Sequence, residues 1–381
     1  MRLRILVALA LIPPVVMCAG TDASGPRAEP LRREPADLAI TDVTVIPMDG
    51  ERVLQGQTVL IRAGRIASVA PAAEVGPDAG TPTIDGRGHF LLPGLIDMHV
   101  HIDAADLDAY VRHGVTSVRN MWGFAQLPAI IAQVDRGERT GPRIFSLTAG
   151  FDGSPGVWPQ TQLSDDVCTI PANLDRQIEN GFTEIKMYQR LSREAYDTLV
   201  ALARRRGLTF AGHLPAAVPL RHAIDAGQRS IEHLGGFRQS TDLAADAQYA
   251  AARGTWVCPT LQIQSLGNRG NGDEQRTAWT RELHRHGVRL LVGTDAGIDV
   301  TAPGSSIHDE LVQFTRAGIS PYDALRGATS LAAEYLRQAD SIGRVAPGME
   351  ADLLLVRANP LQDIRATRDI AAVIVNGVRI R

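Results

Sequence analysis

Residues 90–101 have the sequence FLLPGLIDMHVH, and the second part of this stretch, GLIDMHVH, carries few polar residues before a pair of histidines. Such a strand is buried on both faces, which is typical of a parallel sheet covered by helices. The pair, His99 and His101, ends the strand. Residues two apart on a strand point to the same side, so both imidazoles are able to bind one cation. The stretch therefore predicts a buried strand that ends in metal ligands.

Seven more apolar runs follow this strand, and helical patterns separate many of them, for example over 192–206 and 220–226. The runs are VTSVRN, RIFSLTA, FTEIKMY, LTFAGH, RSIEHL, TWVCPTL and RLLVGTD. Eight strands alternating with helices over roughly 250 residues are the pattern of a TIM barrel. We therefore predict an α/β fold with a (β/α)8 TIM barrel over residues 93–344.

The segments on both sides of this region have a different pattern, in which short alternating runs are joined by glycine-containing turns. The pattern covers residues 37–92 and returns over 345–381, where Asn376-Gly377 is a hairpin signal. We expect the two segments to meet in one small β-sandwich domain. Residues 20–36 are rich in proline, glycine and charge without an apolar period, which predicts a flexible tether.

Residues 1–19 have the pattern of a secretory signal peptide. Arg2 and Arg4 precede an apolar run that is too short to span a bilayer, and small residues follow it. We therefore expect an exported protein, periplasmic or extracellular. Cys18 stands where a lipid is attached in some exported proteins, and a membrane anchor is expected only if it is lipidated. A buried amphipathic helix is the alternative interpretation of this segment.

The composition narrows the classes of partner. The chain is 44% hydrophobic and 21% charged, as in ordinary globular proteins. With a net charge of -3 and no long basic run, it is unsuited to neutralising a row of phosphates, which argues against a nucleic-acid partner. A small-molecule substrate and further copies of this chain are the partners that remain. Cys168 and Cys258 are expected to be buried free thiols rather than a disulfide pair.

Polar residues stand at the C-terminal ends of the predicted barrel strands. Six of them are distributed over five strand ends: His99, His101, Lys186, His213, His233 and Asp295. In a barrel these ends converge at the active site. Imidazole and carboxylate together suit zinc and similar ions, so the placement predicts one or two divalent metal ions, with zinc as first choice. Asp295 also offers a carboxylate that can take a proton from an attacking water.

Lys186 allows two interpretations. Burial and nearby cations lower the pKa of an ammonium group, and a neutral amine can add carbon dioxide to become an anionic carbamate that bridges two metals. Alternatively, the lysine binds an anionic group of the substrate.

Substrate contacts are expected from the loops that follow the strands. Trp122 and Trp158 lie in two of these loops, where a role in loop packing is the alternative. Tyr188 lies two residues beyond Lys186 and thus on the same side of the strand. His308 follows the eighth strand and is a further candidate to line the pocket.

These segments resemble the amidohydrolase superfamily, in particular its prolidase-like and imidazolonepropionase-like branch. FLLPGLIDMHVH resembles the first-strand motif, and the later motifs are matched by EIKMY, AGHLP, SIEHL and VGTDAG. GRVAPGMEADLLLV resembles the return into the small β domain. The resemblance implies a distorted barrel beside a β-sandwich, one or two divalent cations, usually zinc, and the same six ligands. It also implies that Asp295 is the general base, and it favours the carbamate at Lys186.

The resemblance implies metal-assisted hydrolysis of an amide bond in a dipeptide or N-acyl amino acid. Asp295 and His233 are the expected catalytic residues, with His233 or a second metal polarising the carbonyl. A lactone, ester or cyclic amide hydrolase of the same superfamily is the alternative, followed by a metal-bound binding protein without turnover. Deaminases of the superfamily usually carry a glutamate three residues after the fifth-strand histidine. Ala216 occupies that position here, which argues against deamination.

Overall fold

The computed structural model describes residues 37–263, 272–298 and 301–381. The predicted signal peptide 1–19, with Cys18, and the predicted tether 20–36 lie outside the described residues. In the described ranges, no helix combines the length and the apolar character needed to cross a membrane.

The strands and helices of the described residues are numbered in chain order. The strands are β1 (Leu38–Val45), β2 (Leu54–Arg62), β3 (Arg65–Pro71), β4 (Thr83–Asp85), β5 (Phe90–Pro93), β6 (Leu95–Val100), β7 (Val115–Asn120), β8 (Arg143–Ser146), β9 (Phe151–Asp152), β10 (Gln162–Leu163), β11 (Glu184–Met187), β12 (Thr209–Gly212), β13 (Ser230–Glu232), β14 (Trp256–Cys258), β15 (Arg289–Leu290), β16 (Leu353–Val356), β17 (Ile370–Val375) and β18 (Val378–Arg379). The α-helices are α1 (Leu107–Arg112), α2 (Leu127–Asp135), α3 (Ile170–Glu179), α4 (Arg193–Arg206), α5 (Leu220–Ala226), α6 (Leu243–Ala252), α7 (Gly272–Arg285), α8 (Ser306–Arg316), α9 (Pro321–Gly327) and α10 (Ser330–Tyr335).

Strands from both terminal segments share one eight-stranded sheet. Its order is β18-β17-β16-β5-β1-β2-β3, with β4 beside β1. The seam between the two segments is the antiparallel pair of β5 and β16, where Leu92 lies opposite Leu354. The predicted hairpin at Asn376-Gly377 is confirmed: both residues have positive φ, 48° and 77°, and they join β17 to β18. The arrangement of this domain as a sandwich stays a prediction.

The middle of the chain forms two parallel sheets, β6-β7-β8 and β10-β9-β11-β12-β13-β14-β15. Each of the eight apolar runs contains one of these strands, whereas the two-residue strands β9 and β10 were not predicted. Backbone hydrogen bonds also join the two sheets. Thr148 N donates to Glu184 O (2.9 Å), and Met98 N donates to Val292 O (2.9 Å). Each sheet is therefore bonded to the other next to β8 and β11 and again next to β6 and β15.

Helix α4 shows how the sequence sets the elements that flank a site-bearing strand. It begins after Ser192, whose Oγ accepts a hydrogen bond from Ala195 N (3.0 Å), and it ends at Gly207 with a φ of 66°. Arginines occupy its last turn, where positive charge is favourable. Its apolar face buries Tyr196 and Leu199 in a cluster with residues of β11. This packing fixes the strand that carries Lys186.

The two cysteines within the described residues are both free thiols. Cys258 is buried in β14, as expected. Cys168 is exposed, so the expectation that both thiols are buried is wrong for this residue. The reason is local, because Cys168 lies in a short helical turn on the surface, just before α3. That turn has no buried residues, so nothing in it places the thiol in the core.

Candidate metal centre

Three side chains from two strand ends meet at distances suited to one cation. His99 belongs to β6, His101 directly follows that strand, and Asp295 follows β15. Asp295 Oδ1 lies 3.2 Å from His99 Nε2 and 3.1 Å from His101 Nε2. One ligand atom from each of the three lies within 4.8 Å of the others. Two imidazoles and one carboxylate in this arrangement are a donor set that zinc and similar ions accept.

Two further histidines continue this group. His233 follows β13, and its ring centroid lies 4.7 Å from that of His99. His213 follows β12, and its ring centroid lies 4.6 Å from that of His233. Lys186 lies on β11 opposite Ala211, two residues before His213. The structure therefore brings all six predicted ligands to one place, which we call the ligand cluster.

The backbone is strained at two members of the ligand cluster. His233 has a φ of 59° and Asp295 a φ of 60°, in the left-handed region that residues with a Cβ rarely adopt. Hydrogen bonds hold both: His233 N donates to Cys258 O (2.9 Å), and Asp295 N donates to His99 O (2.8 Å). Such conformations cost about 1–3 kcal/mol each and concentrate at functional sites.

Four buried polar atoms of the ligand cluster have no hydrogen-bond partner among the described residues. They are Lys186 Nζ, His213 Nδ1, and the pair His99 Nε2 and Asp295 Oδ1, which lie 3.2 Å apart without the geometry of a hydrogen bond. A buried polar atom without a partner costs about 1–3 kcal/mol, so several in one place point to a ligand. Nitrogen and carboxylate oxygen are donors for a divalent ion, and the cluster therefore fits such an ion.

Burial sets the protonation states that metal binding requires. It lowers the pKa of His233 to about 3, and together with the positive charge of neighbours it holds that of His213 well below its usual range. Burial raises the pKa of Asp295, but the neighbouring His99 and His233 outweigh this and hold it well below the ordinary value. At neutral pH the cluster thus offers an ionised carboxylate and neutral imidazoles at His101, His213 and His233, which are the metal-binding forms. Burial acts to lower the pKa of His99 as well, but Asp295 and Glu232 outweigh it and raise that pKa.

Lys186 is the only lysine in the sequence, and it is completely buried. Burial lowers the pKa of its ammonium to about 8, although the carboxylates of Glu232 and Asp295 act in the opposite direction. About a tenth of the side chain is therefore a neutral amine at pH 7, far more than an exposed lysine offers. The solitary lysine was a signal available in the sequence, because ammonium and guanidinium are not interchangeable and the other basic residues of this chain are arginines and histidines.

A comparison with known protein families covers the range that contains all six members of the ligand cluster. Residues 90–380 match the family model described as the amidohydrolase family. The chain belongs to the amidohydrolase family. Adenine deaminase 1 of Jannaschia sp. (strain CCS1) is 25% identical over 389 residues, which cover 91% of this chain and 58% of that protein. The chain thus spans little more than half the length of that relative.

Two further likenesses cover almost the whole of both chains. The ochratoxinase of Aspergillus niger is 25% identical over 435 residues, which cover 90% of this amidohydrolase and 88% of that enzyme. The structure of a Xaa-Pro dipeptidase with bound methionine in its active site superposes with a TM-score of 0.77 at 22% identity, covering 91% of this chain and 100% of that one. The mixed α/β fold is therefore that of the amidohydrolases.

A buried carboxylate that the sequence analysis missed orients His99 in this amidohydrolase. Glu232 Oε2 accepts a hydrogen bond from His99 Nδ1 (2.8 Å), and Glu232 Oε1 accepts from Arg119 Nη2 (2.8 Å) and from Ser230 Oγ. The charge of Arg119 and the bond from His99 hold the pKa of Glu232 well below its usual range, although burial acts to raise it. The carboxylate fixes the tautomer of His99, so that Nε2 is free to face Asp295.

Thr260 and Asp97 support the cluster in the same way. Thr260 Oγ1 lies 2.7 Å from His233 Nδ1 and holds the orientation of that ring, whose Nδ1 also lies 3.9 Å from Asp295 Oδ2. Asp97 accepts hydrogen bonds from Thr294 N (3.0 Å) and His99 N (3.2 Å), which ties the segment before Asp295 to strand β6. The sequence signal for Asp97 was a polar residue inside an apolar strand, whereas Thr260 follows the apolar strand β14 and is also buried.

Three of the predicted substrate contacts adjoin the ligand cluster, and we call them the aromatic wall: Trp122, Trp158 and Tyr188. The Tyr188 ring centroid lies 4.3 Å from that of His213 and 5.2 Å from that of Trp122, edge to face. Trp158 lies 6.4 Å from Trp122 and 6.5 Å from His101 between ring centroids. The wall therefore runs from one side of the ligand cluster to the other.

The structure does not bring the fourth predicted contact, His308, to this wall. Its side chain is buried, with Nδ1 lying 3.0 Å from Thr367 Oγ1 and Nε2 lying 3.1 Å from His113 O. Both ring nitrogens are thus occupied by the C-terminal segment and by the end of α1. The expectation that His308 lines the pocket is corrected to a packing role, because the amphipathic helix α8 turns this side inward.

Proposed function

We propose that this amidohydrolase hydrolyses an amide bond in a dipeptide or N-acyl amino acid, at a site that holds one or two divalent metal ions, with zinc as first choice. The observation that carries the proposal is the ligand cluster, where His99, His101 and Asp295 share ligand distances and buried atoms lack partners within the described ranges. The likeness to the fold of a Xaa-Pro dipeptidase supports the substrate class.

The proposal includes a closed (β/α)8 TIM barrel over 93–344 beside a β-sandwich over 37–92 and 345–381. Parallel pairing in both central sheets and the hydrogen bonds that join them support the closed ring. Export to the periplasm or outside the cell, with lipid attachment at Cys18 as a variant, rests on the sequence of residues 1–19. Assembly into a homo-oligomer is a further element of the proposal.

Different residues of the ligand cluster have different roles in the proposed hydrolysis. A divalent ion held by His99, His101 and Asp295 would act as a Lewis acid and make water a nucleophile at neutral pH. Asp295, ionised at neutral pH, accepts the proton of the attacking water and returns it to the leaving amine. When Thr260 donates to Nδ1 of His233, the proton of the imidazole lies on Nε2 and can polarise the carbonyl oxygen. When Thr260 accepts instead, Nε2 is a free metal ligand.

Deamination is the second candidate, because adenine deaminase 1 of Jannaschia sp. is similar over 91% of this chain. Ala216 at the position where deaminases of the superfamily usually carry glutamate weighs against it. Lactone and ester hydrolysis use the same donor set and differ only in the leaving group. The metal ligands therefore do not distinguish these activities, and a test with different substrates is needed to do so.

A substrate panel with metal control tests the proposal. Dipeptides, N-acyl amino acids, lactones and adenine are incubated with the purified protein in the presence of zinc or manganese. We expect hydrolysis of at least one amide, loss of that activity after chelation and recovery when the metal is returned. Unchanged turnover in the metal-stripped protein contradicts metal dependence. Release of ammonia from adenine, without amide cleavage, supports the deaminase alternative.

Lys186 carries the second part of the proposal, a bridging carbamate. The lone pair of the neutral amine forms a bond to the carbon of carbon dioxide, one C–O π pair moves to oxygen, and the amine releases a proton to solvent. Because the sequence has no other lysine, isotopically labelled bicarbonate should give one side-chain carbamate signal in the metal-loaded protein. We expect the Lys186→Ala variant to lose that signal and at least one metal per chain.

The carbamate has an alternative that the same experiment resolves. If Lys186 instead binds an anionic substrate group, Lys186→Ala keeps its metal, and KM rises while metal content does not change. Lys186→Ala supplied with bicarbonate and a short carboxylic acid regains metal only if a bridging carboxylate is what was lost. Lys186→Arg serves as the charge-preserving control, since guanidinium does not form a carbamate.

A further inference from the structure

We propose that the aromatic wall is a subsite for a neutral aromatic group of the substrate, with Trp158 as the residue that contacts it. This inference rests on the proposed function for the position of the scissile bond, and it adds the chemical class of the neighbouring group. Four observations carry it: the position of the wall beside the ligand cluster, the exposure of Trp158, the contacts that hold the rings in place, and the charge of the groups nearby.

The position of the wall places it beside the scissile bond. Trp158 adjoins His101, and Tyr188 packs on His213, so the two ends of the wall contact rings on different sides of the ligand cluster. An amide bound at the cluster has its flanking groups within reach of these rings. The edge-to-face packing of Trp122 on Tyr188 makes the surface between them continuous.

Exposure separates Trp158 from the other two members. Trp122 and Tyr188 are 6% and 7% exposed, whereas Trp158 is 37% exposed. In the described part of the chain five large apolar side chains are exposed. Val157 and Trp158 among them lie between β9 and β10, and Leu163 lies in β10. A clustered apolar surface marks an interaction site more often than scattered residues do. Of these three, Trp158 has its ring near a metal-ligand candidate.

The wall is held in place before any substrate binds. A Cβ at Gly150 would lie 2.2 Å from the Trp122 ring, so the absence of a side chain there leaves room for the indole. Trp158 N donates to Thr161 Oγ1 (3.1 Å), and Thr161 Oγ1 donates to Trp158 O (2.6 Å), which closes the turn around the exposed ring. A preformed surface loses little conformational entropy on binding, which favours affinity.

Charge decides between an aromatic group and a cation, which aromatic rings also attract. The ligand cluster, whose His213 ring packs on Tyr188, is built for a divalent cation. A positively charged group of the substrate is disfavoured here, because it would be repelled by the divalent ion bound at the ligand cluster. A neutral aromatic ring gains the stacking without the repulsion.

Matched substrates test the subsite. N-acetylphenylalanine and N-benzoylalanine place a ring on either side of the amide, and N-acetylalanine lacks one. We expect the wild-type protein to prefer at least one ring-bearing substrate, and Trp158→Ala to raise KM for that substrate about 10-fold with kcat little changed. Trp158→Phe should restore most of the preference. Val53→Ala, which changes an exposed apolar side chain of the N-terminal segment, is the control and should alter the kinetics of none of the three substrates.

A binding measurement keeps the subsite separable from the proposed function. Calorimetry of free phenylalanine and free alanine with the metal-loaded protein needs no turnover. Phenylalanine that binds more tightly than alanine, with a preference lost in Trp158→Ala, supports the wall even if none of the amides is hydrolysed. Equal binding of both amino acids, or an equal loss of all substrates in Trp158→Ala, overturns the subsite and leaves the amide hydrolase intact.

Discussion

Replacing Asp295 with asparagine should lower kcat/KM by about 10²- to 10⁴-fold, the range typical of a lost general acid–base group. The change keeps the size of the side chain and removes the charge that the neighbouring histidines stabilise. Asparagine tolerates the left-handed backbone of this position, where φ is 60°, so the fold should not suffer. Steady-state kinetics on the best substrate of the panel, with metal content measured on the same samples, check the prediction.

Metal content separates the two roles of Asp295. A variant that retains its metal and loses turnover has lost a base, whereas a variant that loses both has lost a ligand as well. Asp85→Asn is the control, because Asp85 is an exposed aspartate in the terminal sheet that pairs with Arg87. If Asp295→Asn works as well as Asp85→Asn, the proton acceptor is another group and the assignment of Asp295 fails.

Local signals made much of the fold and of the ligand cluster predictable. His99 and His101 lie two apart at the end of an apolar strand, and that spacing alone places both imidazoles on one side. Lys186 and Asp295 follow other apolar runs, and parallel strands bring such ends together. In each case a short pattern near the residue carries the information, so no knowledge of distant contacts was needed.

Other features depend on contacts between distant residues, which a short pattern does not contain. Arg119 and Glu232 are paired across two strands that are 113 residues apart in the chain. Glu232 directly precedes His233, so the alternation of a strand predicts that the Glu232 side chain points away from the cluster. His233 was therefore predicted as a ligand from the sequence, whereas Glu232 was overlooked. His308 was misplaced for the same reason, because its partner Thr367 lies 59 residues further on.

The Arg119–Glu232 pair leads to the second large expected effect, this time on stability. Both side chains are completely buried, and the guanidinium also donates to Met98 O (2.7 Å) and Ser230 Oγ (3.0 Å). Removing one partner leaves the other charge buried without compensation. We expect Arg119→Met to lower the free energy of unfolding by about 3–5 kcal/mol, measured by denaturant unfolding of the metal-free protein. Arg357→Met, which breaks an exposed pair with Asp369 (2.9 Å), should have little effect.

The double variant Arg119→Met, Glu232→Gln distinguishes stability from orientation of the metal ligand. Replacing both charges removes the uncompensated carboxylate, so we expect most of the lost stability to return. Activity and metal affinity should stay about 10- to 100-fold below wild type, because an amide holds the Nδ1 proton of His99 less strongly than a carboxylate does. Full recovery of metal affinity in the double variant would show that Glu232 serves only the fold. Stability that returns without metal affinity would show that the buried charge is kept for the orientation of His99.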